Sequence, residues 1–97
     1  MNYSDLKTAD IRLVILRELA DTDGYASNES VLQLVLAKYG HAVGRDRVRT
    51  DLYWLQEQGL LAINDVGVLV ATATQRGLDV ATGAATVPGV KRPGPRG

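Results

Sequence analysis

Apolar residues crowd one side of a helical wheel from residue 5 to residue 20. Leu6, Leu13, Leu16 and Ala20 fall on one stripe, and Ile11, Val14, Ile15 and Leu19 widen it. The pattern predicts a first helix that is apolar over much of its girth and central to a small bundle. Ser4 or Asp5 is the expected cap, because a short side-chain oxygen accepts from the free N–H groups of the first turn. Arg12, Arg17 and Glu18 are expected on the solvated side. Asp21-Thr22-Asp23-Gly24 reads as a turn, and Tyr25-Ala26 as a very short strand. A second helix is predicted from Glu29 to Tyr39, capped by Ser27 or Asn28, with Val31, Leu32, Val35, Leu36 and Tyr39 on its buried side. Glu29 complements the positive end of that helix, and Gly40 suits the left-handed stop.

His41-Ala42-Val43-Gly44 is a short connection of the length found in a helix-turn-helix. The third helix is predicted from Arg45 to Gln58, with Gly59 ending it and Val48, Leu52 and Leu55 facing the core. Asp46, Arg49, Thr50, Tyr53 and Glu57 then take the outer face, Arg47 and Trp54 one flank, and Arg45 and Gln56 the other. The period next switches. Leu60 to Ile63 and Val68 to Ala73 predict two strands around the turn Asn64-Asp65-Val66-Gly67. Thr74 is placed to cap a short last helix, Gln75 to Ala81, although Gly77 lowers its helix propensity. Pro and Gly crowd the chain beyond Thr82 and predict an irregular tail.

This order predicts a mainly α, α+β fold: a winged helix-turn-helix with a three-helix core, a two-stranded β-hairpin wing and a short C-terminal helix. Residues 1–82 form the expected domain and 83–97 a flexible, basic Pro/Gly-rich tail. A chain of 97 residues with 45% hydrophobic and 23% charged residues is ordinary for one globular domain. The absence of cysteine removes disulfides, thiolate metal sites and a cysteine nucleophile. His41 is the only histidine, so no metal site is expected. There is also no phosphate loop or nucleophile elbow. The reading is therefore a non-enzyme with no catalytic residues, no metal and no small-molecule cofactor. No apolar run approaches the ~20 residues of a membrane span, and the start lacks a signal-peptide pattern. A soluble, cytoplasmic protein is expected, with no membrane partner.

Residues 1–92 resemble the small ArsR-like winged-helix proteins of Mu-like phages and prophages. The stretches that carry the resemblance are Asn28-Glu29-Ser30-Val31-Leu32-Gln33, Arg45-Asp46-Arg47-Val48-Arg49-Thr50-Asp51-Leu52, Leu55-Gln56-Glu57-Gln58-Gly59-Leu60 and Val90-Lys91-Arg92-Pro93. The resemblance implies a DNA-binding fold in the cytoplasm of a bacterial host.

In a helix-turn-helix the recognition helix lays its N-terminal residues against base edges in the major groove. Arg45, Arg47 and Arg49 stand there, and arginine reads guanine bidentately or grips phosphate. Thr50 and Tyr53 follow as phosphate donors, with Thr50 also able to touch a thymine methyl. Lys91 and Arg92 in the tail are candidate phosphate contacts. Double-stranded DNA is the expected partner, read by a homodimer over two half-sites, in the service of transcription regulation or as a DNA-associated accessory factor.

The charge pattern also allows a different class of function. Residues 1–90 hold eight Lys and Arg against all eleven Asp and Glu, a net of −3. The hairpin tip has no cation and one acid, Asp65. On the third helix, Asp46 can pair with Arg49 and Arg47 with Asp51, which would make a solvated face with pairs worth only ~0.2–0.5 kcal/mol each. The alternative is a protein–protein interaction module of phage development that keeps the winged-helix fold without binding DNA.

Overall fold

A computed structural model describes residues 2–94. Four helices pack with a three-stranded antiparallel sheet around one core. Helix α1 runs Tyr3–Asp21, strand β1 Ala26–Asn28, helix α2 Glu29–Lys38 and helix α3 Arg45–Glu57. Strands β2, Leu61–Asp65, and β3, Leu69–Ala73, form the hairpin, and helix α4 spans Gln75–Thr82.

Helix α1 starts earlier than its apolar pattern indicates, because Asn2 rather than Ser4 or Asp5 caps it, its side chain accepting from the Asp5 amide at 2.8 Å. Ile11, Leu13, Ile15, Leu16 and Leu19 are buried. Leu6 is 54% exposed despite its place on the stripe. The short strand is real but displaced to Ala26–Asn28, and it pairs with β3 so that the sheet order is β1-β3-β2. The sheet therefore has three strands, where the turn signals had predicted a two-stranded hairpin. β1 is too short to carry an alternation, and its pairing with β3 sets its bounds.

Asn28 caps α2 through the Val31 amide, at 2.9 Å. Both α2 and α3 end in the same double hydrogen bond. Gly40 and His41 donate to Ala37 and Leu36, and Gly59 and Leu60 donate to Gln56 and Leu55. This geometry needs a left-handed residue, and Gly40 and Gly59 have φ of 91° and 76°. Helix α2 buries only Leu32, Leu36 and Glu29. Leu34 at 69% and Tyr39 at 67% are exposed, as is Val31, so two residues expected inside stand outside. Val48, Leu52 and Leu55 of α3 are fully buried as the spacing requires.

Of the expected flexible tail, the described residues 83–94 are packed onto the body. Val87 and Val90 enter the core, and the Lys91 amide donates to the Ala9 carbonyl at 3.1 Å. Burial of two valines and a backbone hydrogen bond to α1 outweigh the irregular Pro/Gly composition. Residues 95–97, with Arg96, lie outside the described part. Among the described residues no helix is long and apolar enough to cross a membrane, and no cluster of three metal-ligating side chains occurs.

Candidate functional site

Helix α3 follows α2 after the short connection through Gly44, whose backbone begins α3 without a side-chain cap. Gln33 of α2 spans that connection. Its amide nitrogen donates to the Val43 carbonyl at 3.2 Å, and its oxygen accepts from Arg45 Nε at 2.8 Å. Arg45 is thus presented from the exposed start of α3 with its stem steadied by α2. Thr50, one turn on, is exposed and donates to the Asp46 carbonyl at 3.0 Å. Tyr53 lies further along, also exposed.

Arg49 belongs to this face but is not free. Its Nε and Nη2 donate to the two carboxylate oxygens of Glu29, at 2.6 and 3.0 Å. Glu29 is 0% exposed, and it accepts a third hydrogen bond at 2.7 Å from the Leu69 amide, the first residue of β3. The pairing of Arg49 with Asp46 allowed by the i,i+3 spacing is replaced by this buried contact with α2. The hydrogen bonds from Arg49 outweigh the burial that would raise the Glu29 pKa. With the Leu69 amide and the nearby Arg45 charge they hold it at about 2. The same pair raises the Arg49 pKa.

The linkage has a definite sign. The folded carboxylate titrates below its ordinary 4.5, so its contribution to stability is present above that value and is lost as pH falls from ~4.5 towards ~2. The urea midpoint should therefore drop across this window, and Glu29→Gln, which has no proton to take up there, should flatten the drop. Parallel profiles for the two proteins would show that Glu29 carries no such linkage.

Arg47 lies on the flank its spacing gives it, away from the outer face. It turns towards α1, where Nε donates to Asp51 at 2.9 Å and Nη2 to the Thr8 hydroxyl at 2.6 Å. The i,i+4 pair expected in solvent is present, but Asp51 is 1% exposed and also accepts from Arg12 Nε at 3.0 Å. Arg12, expected in solvent, stacks 3.7 Å from the Trp54 ring centre and donates to the Gly89 carbonyl at 3.2 Å. That contact explains Gly89. At φ +97° a Cβ would lie 2.8 Å from Trp54 Cζ2.

Lys91 and Arg92 line a groove with Leu6, Ala9 and Arg12 on the α1 side. Lys91 Nζ lies 3.3 Å from Asp10, which is also 2.7 Å from the nearly buried His41. Partial burial raises the Asp10 pKa, but the hydrogen bonds and charges of His41 and Lys91 prevail and lower it. The seven candidates therefore separate into two groups. Arg45, Arg49, Thr50 and Tyr53 share the outer face of α3, while Arg47, Lys91 and Arg92 gather along α1.

Glu29, Asp51 and Arg12 are the site residues that periodicity had not singled out. Each nonetheless lies on a buried stripe: Glu29 with Leu32 and Leu36, Asp51 with Val48 and Leu55, Arg12 with Ile15, Leu16 and Leu19. A charged residue at such a position is a signal of a buried pair.

In sequence the chain is similar, over almost its whole length, to the protein gp26 of Escherichia phage Mu. The two are 53% identical over 94 residues, which cover 96% of this chain and 97% of gp26. A protein of Haemophilus influenzae is 49% identical over 84 residues, 84% of this chain and 81% of that protein. No protein-family model and no solved structure matches the sequence.

Proposed function

The chain belongs to the same family as gp26 of phage Mu, and on that premise we propose that it is a phage-type, ArsR-like winged helix-turn-helix protein that binds duplex DNA. The α2–α3 pair is the helix-turn-helix, the β2–β3 hairpin is the wing, and α3 is the helix that enters the major groove. The role is that of a transcriptional regulator or DNA-associated accessory factor in the bacterial cytoplasm, acting as a homodimer on two half-sites. The observation that carries the reading is the outer face of α3. Arg45, with Thr50 and Tyr53 behind it, stands exposed at the start of a helix whose first N–H groups have no side-chain cap. Such a helix end and a guanidinium together suit phosphate and guanine.

The test is fluorescence anisotropy with random duplexes at ~50 and ~200 mM salt, where phosphate contacts show as steep weakening with salt. Site selection follows, and Arg45→Ala should cost ~1–3 kcal/mol on the best site. Arg45 is the arginine to change, because Arg49 and Arg47 also hold buried carboxylates and their loss would mix folding with binding. An Arg45→Ala protein that binds its best site undiminished would rule out α3 as the reader.

A second reading is favoured by Val31 and Leu34 of α2 and Tyr39 at its C-cap, which stand exposed where a phosphate backbone would pass. It makes the chain a protein-interaction module of phage development. Absence of duplex binding even at ~50 mM salt would select it.

A further inference from the structure

We infer that Glu29 is the positioning residue of the proposed DNA-binding surface, fixing the hairpin to α3 by holding the guanidinium of Arg49 and the Leu69 amide in one carboxylate. The inference rests on the nucleic-acid reading and names the residue that sets its geometry. Glu29 stands in the first turn of α2, Arg49 one turn into α3, and Leu69 at the start of β3. The three bonds measure 2.6, 3.0 and 2.7 Å, and the carboxylate is shielded from water. A carboxylate that accepts a bidentate arginine has little angular freedom. The third bond passes that restraint to the strand that begins just after the hairpin tip. Asn64 to Gly67 therefore stand at a set distance from Arg45 and Thr50, and the two parts meet a duplex as one rigid surface.

The two arginines of the outer face take different tasks in this arrangement. Arg45, which among the described residues is tied only to Gln33, can exchange that amide for a base or phosphate. Arg49 spends two of its donors on Glu29 and keeps its remaining N–H groups for the outside. A lysine at 49 would keep the charge and lose the fork.

The experiment uses Glu29→Gln in the full chain, with the folded state checked by circular dichroism. Glutamine keeps the shape, turns donors towards Arg49 and leaves the protein one charge more positive. Charge alone predicts tighter binding to random duplexes at ~50 mM salt, because phosphate affinity rises with positive charge. Positioning predicts the opposite. Affinity should fall roughly tenfold, a change of ~1.4 kcal/mol. Hydrogen exchange at the Leu69 amide should quicken by about the same factor, and the slowly exchanging Arg49 Nε–H signal should be lost.

A folded Glu29→Gln protein that binds duplexes as tightly as the parent, or more tightly, overturns the inference. So does one that keeps Leu69 protection and the Arg49 signal. Should Glu29→Gln not fold, Arg49→Lys decides at constant charge through the Leu69 amide alone, because Arg49 itself faces the duplex: faster Leu69 exchange supports positioning, and unchanged exchange overturns it. A parent protein that binds no duplex overturns the nucleic-acid reading, and the positioning of a DNA surface with it. The Leu69 and Arg49 signals then report separately whether Glu29 holds the hairpin.

Discussion

Replacement of Asp51 by alanine should remove a large part of the fold's stability, about 3 kcal/mol at neutral pH. The carboxylate is 1% exposed and accepts from two arginines on two helices, Arg12 of α1 at 3.0 Å and Arg47 of α3 at 2.9 Å. Removing one partner of a buried pair costs ~3–5 kcal/mol, because the other charge is left without compensation. Two features bring the value to the low end. Arg47 is part-exposed, so water can take over its N–H groups. Arg12 retains its Trp54 face and the Gly89 carbonyl, and a cation over an indole is worth ~0.5–2 kcal/mol. Set against a typical total of ~5–15 kcal/mol, the loss is substantial. Asp46→Ala, an exposed acid on the same helix, is the control and should change stability by less than ~0.5 kcal/mol. Urea unfolding of the two variants decides the matter: equal midpoints would mean that Asp51 is no more than the surface i,i+4 partner of Arg47.

What was legible in the sequence follows from which signals are local. The helix stops at Gly40 and Gly59 and the caps at Asn28 and Thr74 are decided by neighbours within five residues. Repeats such as Val48, Leu52 and Leu55 report a helix face directly. The order of three helices, a hairpin and a last helix could therefore be read in advance. Other features depend on distant partners. β1 exists because Ala26 to Asn28 find Val70 to Thr72 across the fold. Val87 and Val90 are buried because α1 offers them a surface, a fact invisible in a Pro/Gly-rich segment. Spacing spreads the three arginines of α3 over the outer face and both flanks, but the carboxylates and hydroxyl that hold Arg49 and Arg47, from Glu29, Asp51 and Thr8, are set by the fold. Val31 and Tyr39 have the spacing of a buried side, but α2 is covered along a narrower strip than its apolar residues could fill.

Gly77→Ala is expected to destabilise the protein, although on helix propensity alone it should stabilise. Gly77 lies in the first turn of α4 and donates its amide to the capping Thr74 hydroxyl oxygen at 3.1 Å. Exchanging glycine for alanine in an open helix gains up to ~1 kcal/mol. Here a Cβ would stand 1.9 Å from the Leu60 carbonyl oxygen and 2.9 Å from its carbon. Both are backbone atoms, so no side-chain rotation relieves the overlap. That carbonyl cannot easily withdraw. It accepts from the Thr74 amide at 3.1 Å, while the Leu60 amide closes the end of α3 on Leu55 and the Thr74 hydroxyl is bonded to the Gly59 carbonyl at 2.7 Å. Either α4 moves off the α3–β2 junction or the junction opens, and each route breaks capping hydrogen bonds. Overpacking into a rigid site costs ~1–3 kcal/mol and sometimes more, and a backbone neighbour places this case at the upper end. The net expectation is a loss of ~2 kcal/mol or more after the propensity gain, read as a lower urea midpoint with an unchanged slope. Arg76→Ala, its exposed neighbour in the same turn, should leave the midpoint nearly unchanged. A Gly77→Ala protein as stable as the parent would mean that α4 can stand away from Leu60 without loss. The small residue would then serve neither packing nor the turn.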